Sequence, residues 1–152
     1  MRNLLKFFFL LIYSIYNGSI MMINANESVF TSSGVTISIP DNVNIITQVP
    51  VRDFTLLNFI YNDNDVFLRA YIGNHPQKIY RDKQDFSEVD LVINQLSGKK
   101  WFKVNLAKNI ESGEVIIWFK ERGWPILIQF WYNDIDFIKL DIINLIIFSV
   151  KY

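Results

Sequence analysis

Few side chains in this sequence can do acid–base or metal chemistry. The sole imidazole is His75, followed at once by Pro76, and there is no cysteine. A catalytic triad needs a histidine held between a nucleophile and an orienting acid, and a zinc site needs more than one histidine or cysteine. A lone His75 meets the second requirement not at all, and its Pro-flanked setting reads as a loop. The acids fall into two groups, Asp63 with Asp65, and Asp82, Asp85 and Glu88 with Asp90. Paired carboxylates can cleave glycosides or hold calcium. The first group lacks the spaced oxygen ligands and terminal glutamate of a calcium loop, and Asn62-Asp-Asn-Asp65 is what a tight turn wants. The second places negative charge at the start of an expected helix, where it favours the dipole. No glycine-rich phosphate loop and no Gly-x-Ser-x-Gly elbow occurs. The chain therefore reads as non-enzymatic, with no catalytic residue, metal ligand or cofactor assigned.

Binding chemistry is better represented. Glu114 to Lys120 and Ile126 to Tyr132 both alternate, so they read as two strands joined by Glu121-Arg-Gly-Trp-Pro125. One side carries Val115, Ile117, Phe119, Ile128 and Phe130, a plain core. The other carries Trp118, Lys120, Gln129 and Trp131, and the preceding strand adds Trp101 and Lys103. Arg69 and Tyr71 from an earlier hairpin join the same face. Trp, Tyr and Arg dominate protein interfaces because they bury much area and keep a polar handle. The bland alternative is that a helix covers this face and makes the tryptophans core. Trp124, beside Pro125 at the hairpin tip, is the harder one to bury.

The elements that would position these residues follow from periodicity. Asn26 to Gly34 reads as a loose arm. Val35-Thr-Ile-Ser-Ile39 alternates with Val35, Ile37 and Ile39 inward and stops at Pro40-Asp-Asn42. Val43 to Val49 is a second strand, and Phe54 to Tyr61 with Val66 to Gly73 form a hairpin. Gln77 to Gln84 is a charged connection. Between Asp85 and Leu96 the apolar residues Phe86, Val89, Ile93 and Leu96 fall at spacings of three and four, predicting a helix with Ser87 and Asp90 as a capping box and Gly98 at its end. Lys99 to Ala107 returns to alternation with Phe102, Val104 and Leu106 inward, and Lys108 to Gly113 is a turn. Asp134 or Asp136 caps a closing helix so apolar that a well-covered groove is expected for it, and Phe148 to Tyr152 forms a last turn or short strand. The fold class expected is α+β: a mainly antiparallel twisted sheet of six to seven strands packed with two helices.

The N-terminus sets the compartment. Arg2 and Lys6 precede an apolar run, and Ile23-Asn-Ala25 offers a small residue for cleavage, the layout of a secretory signal. Residues 1–25 are thus expected to be a signal peptide and 26–152 a single domain, periplasmic or secreted, with no membrane span after cleavage. An uncleaved anchor is the competing reading, since the run approaches the roughly 20 residues of a bilayer span. Without cysteines the exported domain must rely on core burial, which its 51% hydrophobic and 16% aromatic content permits. Losing Arg2 and Lys6 from 15 basic residues leaves 13 against 15 acidic ones, a net charge of −2. That balance offers no electrostatic pull toward nucleic acid or an anionic membrane.

An export signal, Gly34-Val-Thr-Ile-Ser-Ile-Pro-Asp41 as opening strand and turn, a long aromatic hairpin, and an apolar helix ending in Phe148-Ser-Val-Lys-Tyr152 resemble the PsbP/DcrB-like group over Val29 to Tyr152. The group includes bacterial envelope proteins and photosystem extrinsic subunits. The resemblance implies a role in binding or scaffolding proteins. The function expected is that of an exported protein-binding module, with an immunity protein that blocks an envelope-targeted toxin as its specific form. An envelope assembly factor or a carrier of a small hydrophobic ligand is the alternative.

Overall fold

The computed structural model describes residues 28–48, 53–62, 65–119 and 123–152. The expected signal peptide, its cleavage site, Lys120 and Asp63 lie outside the described residues. Those described form nine strands and one helix: β1 (Ser28–Ser32), β2 (Val35–Ile39), β3 (Val43–Gln48), β4 (Phe54–Tyr61), β5 (Val66–Gly73), β6 (Ser87–Ile93), β7 (Leu96–Asn105), β8 (Ile110–Trp118), β9 (Leu127–Asp136) and α1 (Phe137–Phe148). β1 and β2 make a two-stranded sheet. The others form one antiparallel sheet in the order β3-β4-β5-β9-β8-β7-β6.

The core lies between one face of the large sheet and a second layer made of the β1-β2 hairpin, α1 and the C-terminal residues. Val35, Ile37 and Ile39 of β2 and Ile143, Ile146 and Ile147 of α1 meet Leu57, Phe59, Ala70, Ile72, Val115, Ile117, Ile128 and Phe130 from the sheet, all buried. The alternation expected for β2, β8 and β9 put Val35, Ile37, Ile39, Val115, Ile117, Ile128 and Phe130 on this side. Lys151 closes the layer by exchanging main-chain hydrogen bonds with Thr36, both at 2.9 Å, and Phe119 stacks on Tyr152 with ring centres 4.2 Å apart.

Four expectations are corrected. Residues 85–96 form no helix: β6 turns at Asn94-Gln95 into β7, and both turn residues have positive φ, 49° and 71°. Two consecutive left-handed residues make the type I′ turn whose twist suits a hairpin. Val89, Leu91 and Ile93 fit alternation as well as Val89, Ile93 and Leu96 fit a helix, and sheet pairing decided between them. The capping box therefore does not exist, and the fold has one helix among the described residues. The loose arm is a strand, β1, turned into β2 by Ser33-Gly34, again with both φ positive. On β7 Trp101, expected outward, is buried, while Leu106, expected inward, sits exposed in a turn. Finally, α1 is covered on one side only.

Asp136 caps α1 as expected. Its side chain accepts the Lys139 N–H at 2.9 Å, satisfying one of the free donors of the first turn. That bond, ahead of the Lys139 ammonium, holds the Asp136 carboxyl below the ordinary carboxylate range. At the other end Asn94, in the β6-β7 turn, donates from Nδ2 to the carbonyls of Phe148 at 3.1 Å and Val150 at 2.8 Å. The turn thereby finishes the helix.

Candidate functional site

The strand order governs the second face of the sheet. β9 inserts between β5 and β8, so the chain leaving β5 must travel to β6 at the far edge. It crosses four interstrand spacings of about 4.8 Å, or about 19 Å. Residues 74–86 make this crossing, and they lie across the face that carries the tryptophans.

On that face the pairing aligns Glu88, Trp101, Glu114, Trp131 and Arg69 in one row across five strands. The next row holds Lys99, Ile116, Gln129 and Tyr71, and Trp118 lies in the third. Two polar side chains at the centre receive the crossing segment. Glu114 Oε2 accepts the main-chain N–H of Tyr80 at 2.6 Å and of Arg81 at 3.1 Å, and its Oε1 accepts Gln129 Nε2 at 2.8 Å. Gln129 in turn accepts the N–H of Gln77 at 3.0 Å and donates to its carbonyl at 2.6 Å. Both side chains are fully buried. A buried carboxylate is tolerated only when such donors replace its water. Here the donors are main-chain groups of a segment that has no strand partner, so each side satisfies the other.

Aromatic packing seals the contact. Tyr80 stacks on Phe86 with ring centres 4.5 Å apart, and Lys83 Nζ lies 4.7 Å above the Tyr80 ring. Tyr80, Trp101, Tyr71, Ile116 and Leu127 form a second apolar cluster, flanked by half-buried Ile79, Phe86, Trp118 and Trp131. The Tyr80 hydroxyl donates to Asn133 Oδ1 at 3.0 Å. Burial, followed by the negative charges of Asp134 and Glu114, raises its pKa above the usual phenol value. Tyr71 folds back over Gly73 so closely that a Cβ there would sit 2.5 Å from its hydroxyl, and that oxygen accepts the His75 main-chain N–H at 2.9 Å.

The residues singled out from the sequence thus do share one face, but the protein covers much of it with its own chain. Trp101, Tyr71 and Gln129 are buried, and Trp118 and Trp131 are half-buried. Trp101 Nε1 donates to Glu88 Oε2 at 2.7 Å, an acid that also pairs with Lys99. Lys103 is exposed and bonded to Asp85 at 2.6 Å, and Arg69 is exposed. Trp124 is 41% exposed, with its indole N–H donating to the carbonyl of Asp53 at 3.1 Å. The covering element is neither helix that was considered. Ile79 and Tyr80, apolar residues within the charged connection from Gln77 to Gln84, are the signal that it packs on something, and Phe86, expected on a helix, belongs to the same cover.

The acidic group is equally committed. Hydrogen bonds from Lys78, Lys103 and Lys99, the last with help from Trp101, lower the pKa values of Asp82, Asp85 and Glu88 respectively. These carboxylates are acceptors in exposed ion pairs and hold no proton to donate near neutral pH. His75 is exposed in the crossing segment. Among the described residues no three His, Asp or Glu side chains stand close enough to hold a metal ion. On the core side, Lys100 and Glu111 form a buried ion pair at 2.7 Å, and the Tyr132 hydroxyl donates to the same Glu111 oxygen. Gly113 makes room for this, since a Cβ there would meet the Tyr132 hydroxyl at 2.5 Å.

Large apolar side chains do reach solvent on α1. Ile138 is 77% exposed, Leu145 60% and Phe148 43%, and with Asp141 they form a row at spacings of three, four and three, one face of the helix. Phe137 flanks the row, also exposed. No helix among the described residues is long and apolar enough to cross a membrane. Comparison with protein-family models, with curated proteins and with solved structures returned no match.

Proposed function

We propose that this is an exported, non-enzymatic protein-binding module that acts by occupying a partner's surface, with the outer face of α1 as the contact. The observation that carries this is the solvent-facing row of Ile138, Leu145 and Phe148, an apolar stripe interrupted by a single charge, Asp141. Burying such a stripe at about 25 cal/mol per Å² is a gain available only from a partner. The chemistry of that partner follows from the row: an apolar groove that accepts a helix face, with a basic side chain placed to meet Asp141. The tryptophan face supports the module in a different way, as the platform on which residues 74–86 are held.

The leader-like N-terminus and the resemblance to the PsbP/DcrB-like group agree with an exported protein that works through contact. Its specific form is an immunity protein that neutralises a toxin acting in the cell envelope, for which the partner is the product of an adjacent reading frame. Titration calorimetry between the two purified proteins tests this. Tight binding that is abolished by Ile138→Asp with Leu145→Asp, in a variant whose circular dichroism is unchanged, is the expected result. Binding that survives the double substitution removes the helix face from the proposal, and absence of binding removes the immunity form.

A further inference from the structure

The two edges of the large sheet are built differently. At β6 the outer strand carries Glu88 and Asp90, with Lys99 of β7 beside them at the rim. Charge of this kind is how sheets keep a free edge from pairing with another strand. The opposite edge, β3, reads Val43-Asn-Ile-Ile-Thr-Gln48, without a charge, a proline or a glycine. Asn62 donates its N–H to Asn42 O, which sets the phase of the β3-β4 ladder and turns the main-chain groups of Ile45 and Thr47 outward. Each side of β3 offers an isoleucine at this edge, Ile45 between Val43 and Thr47 on the core side and Ile46 between Asn44 and Gln48 on the other. Ile46, on the face away from α1, is 51% exposed, and Ile45, on the core side, is half-buried. β1 runs nearby with Val29 exposed and, among the described residues, no strand on its outer edge, leaving an open groove of about 240 Å³ between Val29 and Phe30 on one side and Val43 and Ile45 on the other.

We infer that β3 is the dimer edge of this protein, pairing antiparallel with β3 of a second copy about a two-fold axis at Ile46. The edge calls for an incoming strand that is uncharged, rich in β-branched residues and able to set an apolar side chain against Ile46, and β3 itself, with Val43, Ile45, Ile46 and Thr47 and no charge, has that composition. Pairing about Ile46 places Ile45 opposite Thr47 of the partner subunit, and Thr47 opposite Ile45 of the partner subunit, so that the outward main-chain groups exchange hydrogen bonds. It also sets Ile46 against Ile46 of the partner subunit, a non-hydrogen-bonded pair with Cα atoms about 4.5 Å apart, the closest side-chain approach a ladder offers. The same patch serves both copies, and the charged β6 edge stops further addition, so the assembly closes at two.

The purified protein is examined by sedimentation equilibrium up to sub-millimolar concentration. A monomer–dimer equilibrium is expected for the protein itself. Ile46→Lys and Ile46→Glu each set like charges face to face across the axis and raise the dimer dissociation constant by at least about tenfold. An equimolar mixture of the two recovers the dimer, because Lys then meets Glu, and this recovery also shows that both variants are folded. Leu145→Asp, on the α1 face, leaves the equilibrium unchanged, which keeps the outcome separate from that of the function proposed above. A protein that is monomeric throughout overturns the inference, as does a dimer that tolerates Ile46→Lys or a mixture that fails to associate.

Discussion

Glu114→Gln tests how the tryptophan face is held shut. Glu114 spends both oxygens on donors: Oε2 takes the N–H groups of Tyr80 and Arg81, and Oε1 takes Gln129 Nε2. A carboxamide keeps one acceptor. If that oxygen faces Tyr80 and Arg81, the new NH₂ group meets Gln129 Nε2 donor to donor. Gln129 cannot turn over to accept it, because its oxygen and nitrogen are both bonded to the main chain of Gln77. One bond is therefore lost with its donor unsatisfied, about 1–3 kcal/mol, and two more lose charge assistance, about 1 kcal/mol each. Easier desolvation of the neutral amide returns part of this, leaving a net loss of about 2–4 kcal/mol. The loss first appears as opening of residues 74–86, and it reaches the global unfolding midpoint only up to the free energy that docks that segment. Limited trypsin digestion reads the opening directly, since Lys78, Arg81 and Lys83 all lie in the segment. Faster cleavage at these sites, with altered fluorescence from the tryptophans beneath, is expected. Unchanged cleavage together with a stability within about 0.5 kcal/mol of the parent would refute the clamp.

Three further outcomes follow from the geometry. Breaking the buried Lys100–Glu111 pair with Lys100→Met costs about 3–5 kcal/mol in denaturant unfolding, and adding Glu111→Leu restores most of it, less about 1 kcal/mol for the Tyr132 hydroxyl left without that acceptor. Asp136→Ala, which uncaps α1, lowers stability by about 1 kcal/mol at neutral pH, whereas Asp136→Asn keeps a capping oxygen and loses less. Because the folded state depresses the Asp136 pKa below its ordinary 3.8, the carboxylate's advantage over Asn is present above about pH 4 and fades as acid titrates it; a difference that grows in acid contradicts this sign. Gln95→Gly stabilises by about 1 kcal/mol in thermal or chemical unfolding, because Gln95 holds φ at 71° in a turn that favours glycine there, while Asn94 keeps its bonds to the end of α1.

What could be read from the chain alone was whatever two or four neighbouring residues decide. The inward row Val35, Ile37 and Ile39, the core side of β8 and β9, the β4-β5 hairpin and the Asp136 cap all follow from alternation or capping chemistry acting within one element. The segment around Ser87–Ile93 failed because its apolar residues satisfy both periods at once, and the choice fell to β7, which offers a complete ladder from Ser87 to Ile93. That the tryptophans share a face was legible for the same local reason. That the face is roofed by residues 74–86 was not, because it depends on β9 entering between β5 and β8, a pairing between strands more than fifty residues apart. Once that insertion is made, the route to β6 must cross the face, and a carboxylate and an amide that looked like recognition groups become the anchors for the crossing. The bare side of α1 and the uncharged rim of β3 were settled in the same way: a helix or strand can be apolar all round, and only its neighbours in three dimensions determine which side is left uncovered.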